Sequence, residues 1–209
     1  SADGLVVVGR GTSATTDMEA FRWTSSTGMV GLLGGSVFGD PGTVNSSIAS
    51  GASTDGSVVA GRVWTNGNES GPPEAFRWTS ATGLERLGDL PGGLFMSDAF
   101  GVSPDGSVIV GVSDSFGESS DGVGFEAFRW SQATGMIGLG QLPGGSMYSL
   151  AYAASWDGSM IVGTGLGANA PGGLEAFRWT ATTGMVGLGD IPGGYFSSIA
   201  KAVSANGRV

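Results

Sequence analysis

The chain contains neither cysteine nor histidine. Without thiols there are no disulfides, thiolate metal sites or cysteine nucleophiles. Without imidazole there is no Ser-His-Asp triad, no histidine-ligated zinc and no common general base near neutral pH. These absences turn the reading away from an enzyme, and no catalytic residue is assigned; a hydrolase with a carboxylate site in one blade, such as Glu85 with Asp89, is the third alternative after a scaffold and a glycan-binding module. Basic residues are scarce as well: nine stand against eighteen acidic ones, for a formal net charge of −9. A nucleic-acid backbone or an anionic membrane surface is therefore repelled overall, and nucleic acid is not expected as a partner. No apolar run approaches the ~18 residues of a membrane-spanning helix, so direct membrane insertion is not expected either. No signal peptide opens the chain, but a start at Ser1-Ala2-Asp3 without methionine reads as an excised segment and leaves secretion open.

Glycine, in contrast, is abundant. There are 41 glycines, yet the apolar fraction is 40% and six tryptophans are present, so the glycines punctuate a packed fold rather than a disordered linker. The punctuation is periodic. The pentapeptide Glu-Ala-Phe-Arg-Trp begins at Glu19, Glu74, Glu126 and Glu175, at spacings of 55, 52 and 49 residues. Between these copies runs a second marker, Ser-x-Asp-Gly, beginning at Ser1, Ser53, Ser103 and Ser155, with a variant at Ser204-Ala205-Asn206-Gly207. Four full periods and the start of a fifth make up one repeat domain over residues 1–209.

Each period reads as short strands. Residues 107–111 form a continuous β-branched run of the kind found where both faces of a strand are covered. Residues 126–130 alternate, with Glu126, Phe128 and Trp130 on one face and Ala127 and Arg129 on the other. A turn over 131–135 leads into a third strand over 136–140, and 149–155 supplies a fourth before the Asp157-Gly158 hairpin. No segment carries a sustained helical period. The fold class is all-β, a β-propeller-like domain of four-stranded blades, with an open β-solenoid or repeat array as the alternative.

Ala-Phe-Arg-Trp, the Thr-x-x-x-Gly turn, Met-x-Gly-Leu-Gly-Asp-Leu-Pro-Gly-Gly, Ser-x-Ala-x-Ala-Val-Ser and Asp-Gly-x-Val-Val-Val-Gly together resemble the bacterial HAF repeat, over essentially the whole chain. The resemblance implies an extracellular or cell-surface repeat scaffold and brings no established catalytic residues. The histidine for which that repeat is named is Glu19, Glu74, Glu126 and Glu175 here.

The aromatic pairs Phe21 and Trp23, Phe76 and Trp78, Phe128 and Trp130, and Phe177 and Trp179 recur identically in every unit. Packing between blades requires that uniformity, which a ligand site rarely needs. Arg22, Arg77, Arg129 and Arg178 also recur once per unit, as do Asp3, Asp55, Asp105 and Asp157. This matched stoichiometry predicts an Arg bond to a carboxylate or carbonyl that ties strands or blades together. The aspartates can act instead as local turn formers, as Asn206 in the fifth copy does.

Variation points to function. From inner-strand glycine to pentapeptide glutamate the residue numbers differ by 10, 13, 15 and 12 in successive units. The third of these loops holds Asp114, Glu118 and Asp121, hard oxygen ligands that make Ca²⁺ the one cofactor to consider, although no EF-hand spacing is present. The second places Trp64 beside Asn66 and Asn68, an aromatic with amides suited to a sugar. The opposite candidate is the loop after Pro-Gly-Gly, with Phe95 and Met96, Met147 and Tyr148, and Tyr195 and Phe196, which forms either repeated glycan sites or plugs between blades. Glycans and surface proteins are the expected partners, with self-association through open strand edges.

Overall fold

A computed structural model of the chain describes residues 1–14, 18–33, 46–64, 71–116, 124–170 and 172–208. Every assigned element among them is a strand. The first blade holds β1 (Val6–Gly11), β2 (Glu19–Thr24) and β3 (Gly28–Gly31). The second holds β4 (Ser46–Ala52), β5 (Val58–Trp64), β6 (Glu74–Thr79) and β7 (Gly83–Arg86). The third holds β8 (Ser97–Val102), β9 (Val108–Phe116), β10 (Gly124–Ser131) and β11 (Gly135–Gly138), and the fourth β12 (Ser149–Ala154), β13 (Met160–Gly165), β14 (Glu175–Thr180) and β15 (Gly184–Gly187). Each blade is an antiparallel meander, three of them four-stranded and the first three-stranded. This excludes a solenoid, whose coils stack in parallel. The strand over 149–155 pairs with β13, so it opens the next blade rather than closing its own.

In the second, third and fourth blades the β-branched run takes the second place, paired on both sides, and its burial follows: Val59, Ile109 and Ile161 are fully covered. The hydrophobic cores lie between blades. In the middle seam, Ala60, Ala75 and Leu90 of the second blade meet Ala99, Ile109 and Phe128 of the third, with Trp130 and Met136 against them. The seam before it joins Ala20 and Leu32 to Val59, Phe76, Trp78 and Leu84. The seam after it joins Val110, Ala127, Leu139 and Leu142 to Ile161, Phe177, Trp179 and Met185. The pentapeptide Phe and Trp of the second, third and fourth blades therefore reach back to the preceding blade, and Ala20, Ala75 and Ala127 receive the ring of the following one. Both faces of the pentapeptide strand are seam faces, and small Ala lets the next sheet approach. A fully buried Phe contributes roughly 1.5–3 kcal/mol by area alone.

A serine fastens each seam. Ala75 N donates to Ser97 Oγ (2.9 Å), which donates in turn to Gly88 O (2.6 Å). Ser149 links Ala127 N and Gly140 O in the same way (2.9 and 2.8 Å), and Ser198 links Ala176 N and Gly189 O (2.9 and 2.6 Å). The first strand of one blade thus satisfies backbone groups of the blade before it, which burial would otherwise leave unpaired.

The Ser-x-Asp-Gly turns join hands along the arc. Ala2 N donates to Thr54 O, Thr54 N to Pro104 O, and Trp156 N to Ala205 O. Proline has no N–H, so in the third turn the donor moves one residue on, and Asp105 N reaches Trp156 O at 3.3 Å. Gly106, with φ +77°, sits where a Cβ would meet Val58 Cγ2 of the preceding blade at 2.8 Å, so both conformation and space require glycine there.

Among the described residues the arc does not close: the segment 197–203 holds the place of a first strand beyond the fourth blade, and β1 pairs with β2 alone.

Candidate functional site

Antiparallel pairing sorts the connections to two ends of the blades. At one end lie the Ser-x-Asp-Gly and Thr-x-x-x-Gly turns, nearly identical in every unit. At the other lie the strand ends from which the connections of variable length depart, together with the described residues after Pro-Gly-Gly in the second, third and fourth units. The register of Ser97 opposite Ser113 puts the start of β8 beside the far end of β9, so these two loop sets share one face. The expectation that they oppose each other is corrected here. They are also bonded together: Leu94 N donates to Asp114 Oδ2 at 3.2 Å, and Tyr195 Oη donates to Gly172 O at 2.8 Å. Phe125 forms an isolated parallel bridge with Tyr148, and their rings meet edge to face at 6.0 Å.

This loop face exposes large apolar groups. Leu94, Phe95, Ile191 and Tyr195 are all open to solvent, whereas Tyr148 and Phe196 are half-buried. Aligning on Ser97, Ser149 and Ser198 makes Phe95, Met147 and Phe196 equivalent, with Leu94, Ser146 and Tyr195 as a second set. The residues paired from sequence are thus offset by one position in the last unit.

Trp64 does not stand on the solvent side. It is buried, its Nε1 donates to Gly71 O at 3.0 Å, and Arg62 lies over its ring at 5.1 Å from the centroid. Asn66 and Asn68 lie outside the described residues, as do Glu118 and Asp121. Asp114 is buried, with one carboxylate oxygen committed to Leu94 N. Among the described residues no three acidic side chains are grouped to hold a metal ion.

Beneath the loops, at the seam of the second and third blades, Arg62 on β5 pairs with the buried Asp98 on β8. Among the described residues Asp98 Oδ1 and Arg62 Nε have no hydrogen-bond partner, so the pair is half satisfied. Burial pushes the Asp98 carboxyl up to about 6, against the opposing pull of the Arg62 guanidinium. Nearby, burial and the charge of Asp114 hold Asp89 above the usual carboxylate range. No other unit repeats the pair: Ile48, Leu150 and Ile199 stand at the position of Asp98.

The repeated arginines and aspartates do not pair with one another, which corrects the sequence expectation for these two sets. Asp55 accepts from Ser53 Oγ (2.7 Å), Ser57 N (3.0 Å) and Ser57 Oγ (2.8 Å), and those bonds hold its carboxyl down to about 2. Asp3, Asp105 and Asp157 close their turns in the same way. At Asp55, Asp105 and Asp157 a Ser on each side engages the carboxylate locally, and at Asp3 Ser1 Oγ and Leu5 N do so. Arg22 Nε donates to Gly56 O of the next blade at 3.0 Å, the carbonyl form of the expected tie. Arg77 pairs with Glu85 on the adjacent strand at 3.1 Å, at the surface. Arg129 lines a groove with Asp157, Trp179 and Arg208 at the turn end.

The pentapeptide glutamate has a use that sequence reasoning did not supply. Glu74, Glu126 and Glu175 each accept a backbone N–H just past the fourth strand, from Gly88 (3.1 Å), Gly140 (2.9 Å) and Gly189 (3.2 Å), and Glu19 accepts from Leu33 N (3.3 Å). Opposite these carboxylates sit Gly31, Gly138 and Gly187, where any Cβ would strike the carboxylate. The second unit has Arg86 at that position, and Arg86 pairs with Glu74 at 3.2 Å.

Also missed were the bulged residues of the first strands. Ser50, Phe100 and Tyr152 are the extra residues where the register slips. Phe100 stacks on Tyr152 at 5.5 Å, and Lys201 Nζ stands 3.3 Å from the Tyr152 ring centroid. Lys201 is the single lysine of the chain. The variable x of Ser-x-Ala-x was the signal that could have exposed this row.

No protein-family model and no curated protein matches the chain. Among solved structures it is similar to TolB from Acinetobacter baumannii, at TM-score 0.54 and 17% identity over 91% of this chain and 42% of that one. It is likewise similar to a putative TolB from Agrobacterium tumefaciens, at TM-score 0.52 and 17% identity over 91% of this chain and 60% of that one. Identity this low carries the fold alone, a β-propeller-like arrangement of blades. The chain spans 42% and 60% of the lengths of these two structures.

Proposed function

We propose that the chain is a noncatalytic interaction module, a repeat scaffold at the bacterial cell surface that engages protein partners through its loop face. One observation carries this reading: the residues common to every unit are spent on the repeat itself. Phe fills seams, Ser fastens them, Asp closes turns and Glu caps the fourth strand. The length variation and the exposed apolar side chains Leu94, Phe95 and Tyr195 are gathered at one end of the blades. Large apolar side chains left open to solvent are a feature of protein interaction sites. The surface location rests on the repeat resemblance. The test is site-specific photocrosslinking on intact cells, with the probe at Phe95 or Tyr195 on the loop face and at Thr82 on the turn face. A discrete adduct from the loop positions alone, lost at the Phe95 probe on Leu94→Asp, is expected. Equal crosslinking from Thr82 would refute the assignment.

The second reading is a glycan-binding propeller, favoured by the exposed Tyr195 ring with its hydroxyl held by Gly172 O. A glycan array followed by tryptophan-fluorescence titration separates the two.

A further inference from the structure

The pentapeptide arginine repeats, but what it bonds to does not. In the first three blades it shares a strand face with Ala20, Ala75 or Ala127, each of which meets the following blade in a seam. Arg22 Nε uses that position to donate to Gly56 O of the next turn at 3.0 Å. Arg77 turns instead to Glu85, the residue directly opposite it on the fourth strand, at 3.1 Å. Arg129 does neither. The residue opposite it is Ile137, which offers no acceptor, and among the described residues the Arg129 guanidinium has no hydrogen bond, ion pair or ring contact. Its side chain is nonetheless half-buried. A guanidinium drawn partly out of water is normally paired.

Arg129 and Ile137 of the third blade line a groove at the turn end with Asp157 and Trp179 of the fourth, and the groove continues to Met160 and Arg208. Trp179 packs on the seam core, and Ile137 is 38% exposed, so an apolar surface lies beside the guanidinium. Asp157 is ionised at neutral pH, because bonds from Ser159 and Ser155 hold its carboxyl below the usual range. No ion pair joins Asp157 to Arg129 among the described residues. One cation and one anion thus line the same groove without neutralising each other. The third and fourth blades are both four-stranded, so these groups belong to a seam enclosed by two whole sheets.

We propose that this groove binds one small zwitterion with an apolar body, an aromatic or aliphatic α-amino acid, with its carboxylate on Arg129, its ammonium on Asp157 and its side chain over Trp179 and Ile137. The planar fork of arginine matches a carboxylate, and an aspartate accepts from an ammonium. A few placed charges on an apolar surface are how small-molecule sites are built. The site is single, because the first seam spends its arginine on Gly56 O and the second on Glu85. It lies at the turn end of the blades, away from the loop face, and is independent of any partner bound there.

Isothermal titration calorimetry of the full chain with phenylalanine, leucine and methionine tests this, with 3-phenylpropionate and phenethylamine as analogues of phenylalanine that keep one charge each. Saturable binding of one molecule per chain is expected, and each analogue should bind weaker by about tenfold or more, the usual loss for one missing charge-assisted bond. Arg129→Gln should abolish binding. Asp157→Asn should weaken it by about tenfold. The asparagine keeps the turn, since Asn206 already accepts from Ser204 Oγ (3.0 Å) and Arg208 N (2.9 Å) in the fifth copy. Ile137→Glu puts a carboxylate opposite Arg129, as Glu85 stands opposite Arg77, and should abolish binding with a Tm equal to or above that of the parent. Circular dichroism and Tm measured on all three variants separate loss of the site from loss of the fold. Absence of binding by all three amino acids, 3-phenylpropionate or phenethylamine binding as tightly as phenylalanine, or undiminished binding in any of the three variants would each overturn the proposal.

Discussion

Ser149→Ala is the most informative single substitution for the fold. Ser149 Oγ is buried at the seam of the third and fourth blades, where it accepts from Ala127 N at 2.9 Å and donates to Gly140 O at 2.8 Å. Alanine keeps the backbone and removes one oxygen. Ala127 is completely buried, so its N–H loses its partner with no water to replace it, at a cost of about 1–3 kcal/mol. Gly140 is half-buried and its carbonyl recovers part of its loss by hydration, so the total should be about 2–3 kcal/mol. For a chain of this length that corresponds to a Tm lower by about 5–10 °C. Ser198 makes the same two bonds at the uncovered end of the arc, where solvent reaches it. Ser198→Ala should therefore cost under ~1 kcal/mol. Thermal and urea denaturation of the two variants side by side provide the check. Equal destabilisation, or no loss in Ser149→Ala, would show that the serine fastens nothing.

Gly106→Ala should destabilise by about 2–4 kcal/mol in urea unfolding, since it combines a positive φ with a Cβ pressed on Val58. Gly135→Ala, also at positive φ but in open space, should cost only about 1–2 kcal/mol. Arg77→Ala should change stability by less than ~1 kcal/mol, because its pairing with Glu85 lies at the surface; a larger drop in Tm would return the repeated arginines to a structural role. The raised carboxyl of Asp98 gives a pH dependence of definite sign. A group whose pKa is higher when folded contributes stability that is fully present below its unfolded value of 3.8 and lost as pH rises through about 6. The stability of the parent relative to Asp98→Asn should accordingly fall between pH 4 and pH 7, by an amount on the order of 2–3 kcal/mol, and a pH-independent difference in Tm would contradict it.

Much of the architecture was legible in the sequence because blades are built from local patterns. The β-branched run at 107–111 announces a strand covered on both faces, and Asp-Gly announces its hairpin. The identical Phe and Trp announce a seam. What could not be read was partnership across units. Matched counts of Arg and Asp imply a pair, yet each Asp is engaged by groups two residues to either side, local bonds that counting does not reveal. The burial of Trp64 follows from Arg62 above it and the Gly71 carbonyl beside it. The loop sets were placed at opposite ends because a linear period does not show which strand of the next unit pairs with which. The row of Phe100, Tyr152 and Lys201 depends on bulges, which slip the register by one residue at positions with no signature of their own.

Because the buried Phe76, Phe128 and Phe177 each pack against the preceding sheet, these blades share their interiors across seams. A gene segment encoding one period can be copied in or lost, and each new boundary meets the same Ala, Leu and Ser as the old. The fold thus lends itself to lengthening and shortening by recombination without compensating changes elsewhere, while the loops at one end are free to diverge.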